Sequence, residues 1–151
     1  MNAIISTNGL SKKYGDAYRV RQVDLTVFEG EIYGFLGPNG AGKSTTLKML
    51  LGLAKPTSGQ ILVFGQDLRK HRRSILARTG SLIESPSAYH HLTGLENMRV
   101  MQRLRNVPER NVTEALRIVR LEKQKDKKVG HYSLGMKQRL GIAMALMAFP
   151  K

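Results

Sequence analysis

FLGPNGAGKSTTLKML, residues 35–50, decides how the chain is read. Glycines and a proline follow an apolar run, IYGFL, and precede an apolar-periodic one, STTLKMLLGL. Gly37, Pro38, Asn39, Gly40, Ala41, Gly42, Lys43 and Ser44 spell G-x-x-x-x-G-K-[ST] in full. The flanks predict a buried strand, a loop and a helix with Leu47, Leu50 and Leu51 on one face. Glycines belong in such a loop because the backbone must curl with its N–H groups pointing inward, where side chains would block them. The helix N-terminus adds partial positive charge. That is a site for a chain of phosphates. Lys43 is expected at the β- and γ-phosphates, the Ser44 hydroxyl on Mg²⁺, and Thr45 at a further phosphate oxygen.

The rest of the composition bounds the class. A chain of 151 residues supports one domain with a real core. No apolar run is long enough to cross a membrane. The start, MNAIISTNGLSKKYG, has neither the long apolar stretch nor the cleavage site of a secretory signal. The absence of cysteine excludes disulfides and thiolate metal sites, which fits a reducing compartment. The net charge of +14 suggests a polyanionic partner: nucleic acid, anionic lipid or a phosphate ligand. RKHRR (69–73) and KQKDKK (123–128) lack interleaved aromatics and read as solvated surface.

Short β-rich segments occupy the first part of the chain: AIIST, VRQVDLTVF, EIYGFLG, TSGQILVFG and RTGSLIE. Gly30–Glu31 reads as a tight turn between strands. Beyond residue 90 the pattern becomes helical. TGLE at 93–96 is a capping box, and Val112, Ala115, Leu116 and Val119 share one helix face. Residues 134–149 carry two apolar stripes, Leu140–Ala143–Met144–Met147 and Ile142–Ala145–Leu146–Phe149. Such a helix is expected to be buried on both sides.

A second motif, HYSLGMKQRLGIAMAL (131–146), narrows the class. Ser133 stands where a helix N-cap belongs, so its hydroxyl and the first helical N–H groups form an anion site. Here the chain resembles the ATP-binding cassette (ABC) ATPases, whose signature reads Leu-Ser-Gly-Gly-Gln followed by a basic residue, Gln and Arg. Ser133 and Gly135 stand at the family's serine and second glycine, while Tyr132, Leu134 and Met136 depart from it. YSLGMKQRLGIA, with ESP at 84–86, is similar to the subgroup that exports bacitracin-like and lantibiotic peptides.

The resemblance implies an α/β fold: a P-loop NTPase (RecA-like) core, an N-terminal antiparallel β subdomain and an α-helical subdomain. The β-rich and P-loop part would take about residues 1–92, and the helical part, with the signature, about 93–148. It implies ATP and Mg²⁺ as cofactors, bound by Gly37 through Thr45. An aromatic is expected to stack on adenine. The "YG" context favours Tyr14, but Tyr18 remains open on physical grounds. Ser133 and Gly135 would close over the γ-phosphate held by a second ATPase subunit. Glu84 stands where the family keeps a glutamine that senses Mg²⁺ and the attacking water, and a carboxylate should bind Mg²⁺ more strongly. Lys43 and Glu84 are thus the residues nearest the chemistry. His90 and His91 read as loop surface or as contact with a membrane partner. The other implied partner is a transmembrane permease, with the chain peripheral on the cytoplasmic membrane face and no specific nucleic acid. The family's apolar strand ending in Asp-Glu does not occur in these residues. The chain is therefore expected to be an N-terminal portion, truncated before the Walker B strand, that binds ATP without hydrolysing it. A nucleic-acid-associated or translation-type ABC ATPase is the alternative.

Overall fold

The computed structural model describes residues 2–84 and 87–149. It divides into two compact units, residues 1–76 and 77–151.

The first unit is built on a four-stranded antiparallel sheet of order β2-β1-β3-β4. Strands β1 (Ala3–Tyr14) and β2 (Ala17–Phe28) form a long hairpin turned at Gly15, whose φ of 57° suits a residue without a Cβ. The pairing shifts register several times, and side chains replace the missing ladder bonds. Thr7 Oγ1 accepts from the Leu25 amide and donates to the Val23 carbonyl, and Ser11 Oγ accepts from the Gln22 amide. This accounts for two polar residues buried in the sheet, Thr7 and Ser11. Strand β3 (Ser58–Val63) pairs with β1 and turns through Phe64–Gly65, both at positive φ, into the short β4 (Gln66–Asp67).

Against this sheet lie α1 (Lys43–Leu50) and α2 (Leu68–Ala77). Their core includes Leu10, Val20, Met49, Ile61, Leu68 and Ile75. The face of α1 that is buried is Thr46–Met49, with Leu50 only packed against the edge of the core; Leu47 is exposed. The expected Leu47–Leu50–Leu51 stripe is thus rotated by one position. The basic run 69–73 lies on the exposed side of α2, where Arg69 meets Asp67 at 3.6 Å.

Two expected strands do not form. Residues 31–38, with the run IYGFL, have no regular structure, and Ile32 and Leu36 are almost fully exposed. Residues 79–83 likewise form no strand. An apolar run without alternation suits a parallel strand covered on both faces. Among the described residues no strand lies beside either run, and a strand exists only as one side of a ladder. Glu31 N still closes a turn on the Phe28 carbonyl at 3.2 Å, but that turn leads into coil, not a strand.

The second unit packs α3 (Gly94–Arg105), α4 (Glu109–Ile118) and α5 (Leu134–Leu146) around Met98, Val112, Leu116, Leu121, Leu140 and Met147, with two 3₁₀ turns between α4 and α5. The division between units falls before the expected change near residue 92, because the preceding loop is tied into the helices. Asn97, almost fully buried, exchanges hydrogen bonds with the Tyr89 backbone, and Gly130 N donates to the His90 carbonyl. Val112, Ala115, Leu116 and Val119 are all buried as their spacing requires. In α5 only one of the two apolar stripes is. Leu140, Ala143 and Met147 are fully buried, whereas Ile142 and Phe149 are exposed.

The capping box forms in full. Glu96 N donates to Thr93 Oγ1 at 3.1 Å, and Thr93 N donates to Glu96 Oε2 at 2.7 Å. The Thr93 amide, and after it the Thr93 hydroxyl that alanine would remove, hold the Glu96 carboxyl below its ordinary value. A carboxyl depressed by folding stabilises above its unfolded pKa and stops doing so as pH falls through the folded value. Thr93→Ala should cost about 1 kcal/mol of the helical unit's stability near neutrality. Part of that difference should vanish in acid. Urea denaturation of both proteins at pH 7 and pH 3 measures it, and an unchanged midpoint at pH 7 would remove the cap from the account.

Candidate functional site

The glycine-rich loop folds back so that its own lysine bonds to the loop's carbonyls. Lys43 Nζ donates to the Gly37 carbonyl at 2.5 Å and to the Pro38 carbonyl at 2.7 Å, and Ala41 N donates back to Pro38 O at 3.2 Å. A Cβ on Gly37 would stand 3.3 Å from that of Ala41, a tight contact that a side chain there could keep only if Ala41 gave way by a few tenths of an ångström. Gly40 and Gly42 take φ of 83° and 93°. Gly42 is also the N-cap of α1, and having no side chain it caps nothing. The first-turn N–H groups at Lys43, Ser44 and Thr45 precede the first intrahelical donor, Thr46 N, which bonds to Gly42 O at 2.8 Å. Thr46 Oγ1 donates to the same carbonyl and is buried, fixing the first turn.

These groups line a cavity of about 240 Å³ formed by Asn39, Gly40, Gly42, Lys43, Ser44 and Thr45 together with Arg19. Arg19 comes from β2 and was not among the residues singled out from the sequence. Its neighbour there is Gly42: a Cβ on Gly42 would collide with the Arg19 carbonyl oxygen. The glycine therefore lets the hairpin come down onto the helix start. No periodicity or motif marks Arg19, since its place is set by tertiary packing alone.

Tyr14 and Tyr18 lie at the hairpin's end, 54% and 50% exposed, each under a lysine ammonium. Lys12 Nζ stands 4.8 Å from the Tyr14 ring centre and Lys13 Nζ 4.9 Å from that of Tyr18. The Arg21 guanidinium also stands over the Tyr18 ring, 5.4 Å from its centre, and the choice between the two tyrosines stays where the sequence left it.

In the second unit Ser133 is the N-cap of α5, with Oγ accepting from Met136 N at 3.2 Å. Gly135 is exposed, and nothing lies within 4 Å of where its Cβ would be. The helices α1 and α5 have no acidic residue in the first turn, whereas α3 and α4 carry Glu96 and Glu109 there. At the start of α2, which also lacks one, the carboxylate of the preceding Asp67 accepts from Arg69 N at 2.8 Å, so the two motif-bearing N-termini are the ones without a carboxylate.

The departures from the signature have a packing reason at Tyr132. Its ring is 5% exposed within the helical core, its hydroxyl donates to the Gln124 carbonyl at 2.7 Å, and Gly94 makes room for it. Burial raises the phenol's pKa. Leu134 is 75% exposed, whereas Met136 is half-buried and packs against the core. Arg139 donates to the Val119 and Arg120 carbonyls at 3.1 Å, satisfying the C-terminal end of α4.

Glu84 is exposed and holds φ of 63°, uncommon for a residue with a Cβ. The Ser85 and Pro86 of the ESP sequence lie outside the described residues. His90 and His91 are exposed, and among the described residues no group of three or more His, Asp or Glu could hold a metal.

Comparison with known proteins places the chain. Residues 20–151 match the family described as ABC transporter. The bacitracin transport ATP-binding protein BcrA of Bacillus licheniformis is 49% identical over all of this chain, which spans 50% of that protein. The lantibiotic transport ATP-binding protein SrtF of Streptococcus pyogenes is 39% identical over 98% of the chain and is itself covered to 63%. Among solved structures, an ATP binding subunit of an ABC transporter superposes with a TM-score of 0.84 at 30% identity, over 97% of this chain and 63% of that one. The cbiO1 protein of Clostridium perfringens gives 0.87 at 27% identity, over 100% and 64%. The chain spans about half the length of the BcrA protein. With a family match over most of its length, and an open phosphate loop and signature N-cap in place, the chain belongs to the ABC transporter family.

Proposed function

We propose that the chain is the nucleotide-binding part of an ABC transporter's ATP-binding subunit, and that the transporter exports a peptide antibiotic. The observation that carries the first statement is the uncapped N-terminus of α1, facing a cavity with Lys43, Ser44 and Thr45 on its wall. A chain of phosphates fits that donor set: successive backbone N–H groups, one ammonium and two hydroxyls, with no carboxylate among the lining residues. The similarity to BcrA and SrtF supports the second.

Residues 37–45 would hold the nucleotide phosphates, with Lys43 at the β- and γ-phosphates and Ser44 on Mg²⁺. Tyr14, or Tyr18, would stack on adenine. Ser133 and Gly135 would meet the γ-phosphate on a second ATPase subunit, where the open N-terminus of α5 stabilises the anion. Glu84 would report on Mg²⁺ and the attacking water. Bound MgATP supplies the phosphoanhydride whose turnover drives transport; the chain's residues bind, orient and pair across the subunits. A transmembrane permease would hold the subunit at the cytoplasmic membrane face. No helix among the described residues is long and apolar enough to cross a membrane itself.

Ser133→Glu tests the pairing separately from the binding. It puts a negative charge at the one N-terminus meant for a neighbour's phosphate. Calorimetric ATP affinity should stay within about twofold, since Ser133 lies outside the loop's own cavity. ATP-dependent dimerisation in light scattering should be lost. A variant that still dimerises with ATP would remove Ser133 from the interface.

A further inference from the structure

Two cationic residues, Lys43 and Arg19, line the loop's cavity, and the structure gives them different circumstances. Lys43 Nζ is engaged by two carbonyl oxygens, Gly37 at 2.5 Å and Pro38 at 2.7 Å. To reach a phosphate it must give up at least one of them. Arg19 lines the same cavity from β2. Among the described residues its guanidinium has neither an ion pair nor a hydrogen bond, and the residue is exposed. Its backbone is fixed, because the Arg19 carbonyl sits against Gly42 at the helix start. The anchor is rigid and the cation at its end is free.

From this we infer that Arg19 captures the incoming nucleotide's phosphates, ahead of the exchange in which Lys43 trades loop carbonyls for phosphate oxygen. The inference rests on the nucleotide-binding reading above and adds an order of events to it. A free guanidinium on a residue that lines a cavity raises the local concentration of an anion and speeds encounter. It presents several donors in a fixed fork that suits phosphate oxygens, and it stays charged at any physiological pH. Lys43, already satisfied, contributes to holding the anion more than to finding it. The two residues should therefore divide the kinetics. Arg19 governs the association rate and its salt dependence, and Lys43 governs dissociation.

Stopped-flow mixing of the full chain with a fluorescent ribose-modified ATP separates the two. At low ionic strength Arg19→Ala should lower the association rate constant about three- to tenfold, leaving dissociation within about twofold. Arg19→Lys should recover most of the rate. The gap between parent and Arg19→Ala should narrow as salt is raised, since exposed charges are screened. Arg19→Gln, which keeps a polar stem and removes only the charge, serves if the alanine variant loses its parent-like circular dichroism. Equal association rates for parent and neutral variants at low salt overturn the proposal, as does a loss found only in dissociation. If the parent itself shows no saturable signal, the nucleotide-binding reading falls and this inference with it.

Discussion

Lys43→Ala is expected to bind ATP roughly ten- to hundredfold more weakly than the parent, while unfolding at nearly the same denaturant concentration. The binding loss corresponds to about 1.5–3 kcal/mol, the range for a hydrogen bond to a charged group. The small effect on stability has a separate reason. The ammonium's two partners are the carbonyls of Gly37 and Pro38, both in exposed loop residues. Water replaces the lysine at each, so no buried acceptor is orphaned. The two readouts thus separate a phosphate-binding lysine from a structural one. Calorimetric titration with MgATP gives the first and urea denaturation the second. Equal affinity on folded protein would sink the phosphate-loop assignment. Equal affinity with a large stability loss would make Lys43 a loop clamp.

The helical unit was the more legible in the sequence. Its capping box, its buried face from Val112 to Val119 and its Ser133 N-cap all come from local signals: a side chain meeting its own helix, or a period of 3.6. The glycine-rich turn was legible for the same reason, since glycine placement is a local demand of the backbone, and Gly40 and Gly42 hold positive φ. Strands were less so. The run at 32–36 is apolar enough for a covered strand, but pairing depends on a neighbour that no local pattern supplies, and the segment stays irregular. The second stripe of α5 was only half legible in the same way. Ile142 and Phe149 carry the composition of a buried face, yet what covers a face is a tertiary matter. Arg19 lay furthest from view. It sits on an ordinary strand among other basic residues, and only its carbonyl's approach to Gly42 puts it at the cavity.

That approach makes Gly42 a position where substitution should be costly, and Gly40 provides the control. Both hold positive φ, 83° at Gly40 and 93° at Gly42, so alanine at either must adopt a left-handed backbone. The strain is about 1–2 kcal/mol for each. Their surroundings differ. Around a Cβ on Gly40 nothing lies within 4 Å, whereas a Cβ on Gly42 would meet the Arg19 carbonyl oxygen and, at 3.1 Å, a methyl of Val20. Neither neighbour yields easily, because Arg19 is backbone and Val20 is 5% exposed in the core. Overpacking of this kind adds about 1–3 kcal/mol to the strain. Gly42→Ala should therefore lose about 2–5 kcal/mol in all. Relief by moving β2 away from α1 would carry Arg19 with it and tilt the N–H groups of the helix start. Nucleotide affinity should then fall in Gly42→Ala by more than in Gly40→Ala, measured on whatever fraction remains folded. Urea midpoints that coincide for the two variants would show that the hairpin does not rest on Gly42, and that only backbone strain keeps glycine there.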